Sequence, residues 1–190
     1  THGKPTIANA HPHTSGDEIA IVHNGIIENY EDLKLKLVED GYVFKTDTDT
    51  ETIAHLIHQN RKNGAVSLLT AVKRTIRKLQ GAHGLCVIAT DFPDEIIAAR
   101  SSSPLVIGVG IGENFIASDT LALGQVTDRF VYLEEGDVAR VCRDSFEIWN
   151  SNKRVDRPIA TVQDRSSEAE KGKYKHFMLK EIYEQPRVIK

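Results

Sequence analysis

Short apolar runs separated by Pro, Gly and Asp turns fill the second half of the chain. A segment punctuated this way folds as a set of short β-strands. Seven runs read as strands: Leu85–Thr90, Glu95–Arg100, Leu105–Val109, Asn114–Ser118, Arg129–Leu133, Asp137–Val141 and Phe146–Trp149. Leu121–Gly124 fits one helical turn among them. The first half carries a different rhythm. Tyr30, Leu33 and Leu37 share a face of a helix over 29–40, with Asn29 as its N-cap and Gly41 at its stop. Ile53, Leu56, Ile57 and Asn60 share a face over 50–60, and Val66, Leu69, Val72, Ile76 and Leu79 share one over 66–79, where Gly81 and Gly84 break the pattern. Helices followed by a run of strands predict an α+β layered domain.

The remaining segments read more simply. Residues 1–17 are polar and rich in Gly, Pro, His and Thr, as loops are. Glu18 to Val22 is a short strand ending at His23-Asn24-Gly25, where Asn-Gly signals a turn, and Tyr42 to Lys45 is a strand stub. From 151 to about 175 the chain is poor in apolar residues and reads as a linker, so residues 1–150 form the domain and 151–190 a connection. His176–Ile189 is helical in part, up to Pro186.

At 190 residues the length suits one domain, and a 40% apolar share supplies a core. A net charge of −3 argues against nucleic-acid binding as the main task. No run approaches the ~18 apolar residues of a membrane-spanning helix. The two cysteines, Cys86 and Cys142, exclude a disulfide scaffold and a four-cysteine zinc site, and favour a reducing, cytoplasmic setting. The chain begins at Thr1 without a methionine and closes on an uncapped helical run, which reads as a fragment of a longer protein.

Three polar clusters carry chemistry. The first joins Thr1-His2-Gly3 to Asn9-Ala10-His11-Pro12-His13; the second is His23-Asn24-Gly25; the third is Thr48-Asp49-Thr50-Glu51. A carboxamide and a neighbouring backbone N–H at Asn24-Gly25 suit an oxyanion hole, and they equally suit an ordinary turn. Asp49 suits an ammonium group, and it equally suits a helix cap. His11, His13, His55 and His58 have spacings compatible with a metal, but hydrogen-bonded histidines are the commoner use of such pairs. Cys86 and Cys142 lie within β runs and read as structural thiols. Gly108-x-Gly110-x-Gly112 has the wrong spacing for a dinucleotide loop.

The runs T-H-G-K-P, N-A-H-P-H, I-V-H-N-G-I-I-E-N-Y and T-D-T-E together resemble the glutaminase domain of class II glutamine amidotransferases. The H-N-G and D-T-E pieces are shared with amidophosphoribosyltransferase and its relatives. R-S-S-S-P-L-V-I-G, E-N-F-I-A-S-D and the tail K-H-F-M-L-K-E-I-Y-E-Q-P resemble the hexosamine-forming branch, which turns fructose 6-phosphate into glucosamine 6-phosphate. The resemblance implies an N-terminal-nucleophile hydrolase-like four-layer αββα sandwich, incomplete at the N-terminus. It implies hydrolysis of L-glutamine, with Asn24 and Gly25 as the oxyanion hole, Asp49 on the substrate ammonium, and Thr1 and His2 lining the pocket. The family's nucleophile is an N-terminal cysteine whose α-amine is the base, and its substrate carboxylate is held by an arginine. Both would lie upstream of Thr1, so the chain alone is expected to be inactive. No cofactor and no metal are expected, and the parent protein is expected to be a cytoplasmic homodimer. The alternatives are another class II amidotransferase or a non-catalytic glutamine-binding module.

Overall fold

The computed structural model describes residues 2–62, 66–162 and 172–188. Among these described residues eleven strands form two antiparallel sheets. The strands are β1 (His13–Ser15), β2 (Ile19–Ile27), β3 (Gly81–Ala89), β4 (Phe92–Ser101), β5 (Val106–Val109), β6 (Asn114–Ala117), β7 (Arg129–Tyr132), β8 (Asp137–Cys142), β9 (Phe146–Asn150), β10 (Lys153–Val155) and β11 (Ala160–Thr161). The helices are α1 (Tyr30–Glu39), α2 (Asp49–Lys62), α3 (Leu68–Ile76) and α4 (Phe177–Val188). The first sheet has the order β1-β2-β3-β4-β8-β9-β10 and the second β11-β7-β5-β6.

Strand alternation builds the layers. Ile19, Ile21, Leu85, Val87, Ile97 and Ala99 point to one face of the first sheet and bury against Ile53, Ile57, Leu68 and Val72 of α2 and α3. Ala98, Ala139, Val141 and Ile148 point to the other face and meet Leu105, Ile107, Val131 and Leu133 of the second sheet. Leu33 and Leu37 lay α1 against Leu56 of α2. On the far side of the second sheet, a 3₁₀ turn at Thr120–Ala122 brings Leu123 over Gly108, where an added Cβ would stand 2.9 Å from Leu123 Cδ1. The result is a helix–sheet–sheet stack, the α+β sandwich expected from the sequence.

The structure corrects several local readings. His23-Asn24-Gly25 is not a turn: β2 continues through it, paired in register with β3 from Ile19↔Ala89 to Ile27↔Gly81. Gly25 makes this possible at a φ of 141°, because a Cβ there would stand 2.1 Å from the Ala82 carbonyl oxygen. Gly81 and Gly84 lie inside β3 rather than breaking a helix. Tyr42–Lys45 forms no strand; it is held instead by the carboxylate of Glu51, which accepts from the N–H groups of Lys45 and Thr46. Asn29 occupies the N-cap position of α1 as expected, but its side chain makes no cap hydrogen bond. Its carboxamide donates to the Lys78 carbonyl and accepts from Gln80 N–H, tying the start of α1 to the approach to β3. The loop read over 1–17 contains β1, and the sheets extend past Asn150 through β10, paired with β9, and β11, paired with β7. α4 runs two residues beyond Pro186, whose ring removes only one intrahelical donor at that late position.

Candidate active site

A cavity of about 620 Å³ opens where β2, the start of α2 and the N-terminal segment meet, and Asn24, Gly25 and Asp49 all line it. Each comes from a different local constraint. Asp49 is the first residue of α2, where the unpaired N–H groups of a helix start favour a carboxylate. It is 1% exposed, and its Oδ2 accepts the backbone N–H of Ile27 at 2.7 Å, fixing the helix to the end of β2. Asp49 thereby braces a strand as well as sitting at a helix start. Asn24 sits on the opposite face of β2 from the buried His23, is exposed, and spends its carboxamide on no partner among the described residues.

The walls are braced by hydrogen bonds between segments distant in sequence. His23 Nδ1 lies 3.0 Å from Thr50 Oγ1, and its Nε2 lies 3.4 Å from the Ala82 carbonyl, so one ring ties β2 to both α2 and β3. His13 Nε2 lies 3.3 Å from Thr48 Oγ1. Asn9 Oδ1 accepts Asp47 N–H at 3.0 Å, and His2 Nδ1 lies 3.0 Å from the Asp47 carbonyl, which fastens the N-terminal segment over the loop before α2. His2 also meets Tyr30 edge-on at 4.5 Å. His2 therefore lines the cavity as expected, while Thr1 lies outside the described residues. Thr48, Thr50, His11, His13 and Asn9 also line it; only the proximity of their motifs to Asp49 and Asn24 hinted at this.

The other candidates fall elsewhere. His55 Nδ1 is 2.8 Å from Ser15 Oγ, and His58 Nδ1 is 2.9 Å from Tyr42 Oη, so both are used in packing the helix layer. Among the described residues no group of three or more His, Cys, Asp or Glu side chains is placed to hold a metal. Neither cysteine lines the cavity. Burial pushes the Cys86 thiol up to about 12, the opposite of what a nucleophile needs. Among the described residues no helix is long and apolar enough to cross a membrane.

Four of the buried histidines are expected to make the fold acid-sensitive. Burial is the largest cause in each case and lowers His13, His23, His55 and His83 below the ordinary 6.5, His83 to about 4. In the unfolded chain they titrate near ~6.5. Between those values the unfolded state binds more protons than the folded state, so stability falls as the pH falls. For His83 the loss approaches about 3 kcal/mol below pH ~4. Urea unfolding should show a midpoint that drops steadily from pH ~7 to ~5, and a flat profile would contradict neutral burial of these rings.

Comparison with known proteins places the cavity in context. A family model described as "Glutamine amidotransferase domain" matches residues 6–125, which include Asn24, Gly25 and Asp49. Over its full length the chain is 59% identical to the glutamine--fructose-6-phosphate aminotransferase [isomerizing] of Acinetobacter baylyi, and 55% identical to that of Pseudomonas aeruginosa. It spans 31% of the length of each of these curated relatives. Among solved structures, the glutamine phosphoribosylpyrophosphate amidotransferase of B. subtilis aligns with a TM-score of 0.64 and 26% identity, over 77% of this chain and 33% of that one. A structure described as the allosteric regulatory enzyme of purine biosynthesis aligns with a TM-score of 0.62 and 27% identity, over 75% of this chain and 31% of that one. The sandwich is thus the N-terminal-nucleophile hydrolase fold of the amidotransferases.

Proposed function

The chain belongs to the glutamine amidotransferase domain family, and from this we propose that its cavity binds L-glutamine for hydrolysis to glutamate and ammonia. The observation that carries the reading is that Asn24 and Asp49, on a strand and a helix, line one cavity. In the proposed pose the buried Asp49 carboxylate takes the substrate α-ammonium. The side-chain amide then reaches the Asn24 carboxamide and the Gly25 N–H. A thiolate attacking the amide carbon forms the C–S bond and drives negative charge onto the oxygen, where those two donors stabilise it. The C–N bond breaks as the nitrogen gains a proton and leaves as ammonia, and water then cleaves the glutamyl thioester.

Neither Cys86 nor Cys142 serves as that thiol, so the nucleophile comes from outside these residues, and the 190 residues alone are expected to release no ammonia. The similarity to the sugar-phosphate aminotransferases extends over the whole chain, tail included, and supports fructose 6-phosphate as the acceptor in the parent protein; we propose further that this parent is a cytoplasmic homodimer. The purine-pathway reading is weaker, because its structural neighbour is 26% identical against 59%.

Asp49→Asn tests the substrate end. An Asn oxygen can still accept the Ile27 N–H, so the strand anchor survives while the charge is lost. A charge-assisted contact contributes about 1.5–3 kcal/mol, so the KM for glutamine should rise roughly 10- to 100-fold with a smaller change in kcat. An unchanged KM would make Asp49 a structural anchor only.

A further inference from the structure

We propose that the cleft beneath the C-terminal end of α3, at the ends of β3, β4, β8 and β9, binds a phosphate-bearing anion. The cleft has a volume of about 320 Å³ and is separate from the cavity that holds Asn24 and Asp49. Lys73, Arg77 and Arg100 line it, with His83 and Trp149, and no acidic residue does. The cations arrive from two elements, α3 and its cap for Lys73 and Arg77, and β4 for Arg100.

Basic residues in the last turn of a helix are ordinarily explained by the helix dipole. That explanation covers Lys73 and Arg77 but not Arg100. Arg100 donates one amino group to the Leu133 carbonyl, while its Nε is buried with no hydrogen-bond partner. His83 is 6% exposed, and its Nδ1 is likewise buried without a partner. A buried donor left unpaired is costly; an acceptor oxygen would satisfy Arg100 Nε, and His83 Nδ1 as well in the tautomer that carries its proton there. Arg77 is held by Asn152, with its Nη2 2.8 Å from Oδ1, and Lys73 lies 4.2 Å from the centre of the Trp149 ring. Among the described residues no carboxylate forms an ion pair with any of the three cations. The acid near them, Glu135, is engaged by Ser102 N–H and the Ser101 hydroxyl. Multiple fixed donors around a small cleft whose lining includes no carboxylate, with Glu135 the nearby charge acting on Arg100 and His83, are what a phosphate group requires. The volume, near the ~300 Å³ lower end for small-ligand sites, leaves room for a compact ester substituent against Trp149.

Trp149 is the sole tryptophan of the chain, so its fluorescence reports on this cleft alone. The test titrates the protein with inorganic phosphate and, separately, with a hexose 6-phosphate, against potassium chloride at matched ionic strength. Equilibrium dialysis of radiolabelled phosphate gives a second readout. The expected result is saturable binding in the millimolar range or tighter, absent with chloride, and weakened at least ~10-fold in Arg77→Gln and in Lys73→Gln. Both variants lie at the solvent side of α3, and an unchanged circular dichroism spectrum confirms that they are folded. Tighter binding of the hexose phosphate identifies an ester as the ligand, and equal binding identifies the free anion; either supports the site. Absence of saturable binding by both methods, a response reproduced by chloride, or affinity unchanged in both variants overturns it. A failure of glutamine binding at the other cavity would leave this result unaffected.

Discussion

Asn24→Ala is expected to lower kcat for glutamine hydrolysis by about 10²–10³ in a polypeptide that carries the nucleophile, with little change in KM. The argument rests on what the residue does in the free protein. Asn24 lies in mid-strand, its backbone paired opposite Gly84, while its carboxamide lines the cavity and holds no protein partner among the described residues. Its removal therefore leaves the ladder intact. The lost donor is one that acts on charge absent from the ground state, which is why the effect falls on kcat. One such donor is worth about 3–4 kcal/mol. Stopped assays of ammonia release at saturating glutamine would measure it, and a kcat within about twofold of the parent would remove Asn24 from the chemistry.

Gly25→Ala has an effect of comparable size by a different route. The added Cβ would stand 2.1 Å from the Ala82 carbonyl oxygen and 2.7 Å from its carbon, both backbone atoms of the adjacent strand. Rotation of a side chain cannot relieve that contact, so the β2–β3 ladder must shift. The φ of 141° is itself a region that L-residues rarely adopt. The combined cost is of order 4 kcal/mol or more, a large part of the stability of an ordinary domain. Chemical denaturation should show a large drop in midpoint or an unfolded product. A stable, native-like Gly25→Ala protein would mean that the backbone at this position is not as close to Ala82 as described. Both substitutions bear on the same place, where the geometry that admits a strand at Gly25 also brings Asn24 to the cavity.

Much of this arrangement is legible from sequence because it is local. The 3.6-residue period of Leu33, Leu37, Ile53 and Ile57, and the turn-punctuated apolar runs after Gly84, report burial on helix and strand faces that the structure reproduces. What escapes is whatever depends on partners far along the chain. Asn-Gly is a turn signal by local preference, yet nine residues of β2 pair with β3 some sixty positions later, and that register overrides the preference. β1, β10 and β11 are two or three residues long and carry no apolar alternation in sequence, so only their neighbours define them. Asp49 shows the same division. Its position at a helix start can be read from T-D-T-D-T, whereas its bond to Ile27 N–H, which aims the carboxylate, exists only once β2 and α2 are packed together. The cationic cleft was invisible for the same reason, since Lys73, Arg77, His83, Arg100 and Trp149 meet only after four strands and a helix have assembled.

The central claim is that one cavity holds glutamine between Asp49 and the Asn24–Gly25 pair, and a crystal structure of the protein grown with L-glutamine tests it most directly. The account predicts the α-ammonium at ion-pair distance from the Asp49 carboxylate and the side-chain carbonyl oxygen within hydrogen-bond reach of Asn24 Nδ2. Glutamine bound in the reverse orientation, with its amide at Asp49, or bound outside this cavity, would contradict it.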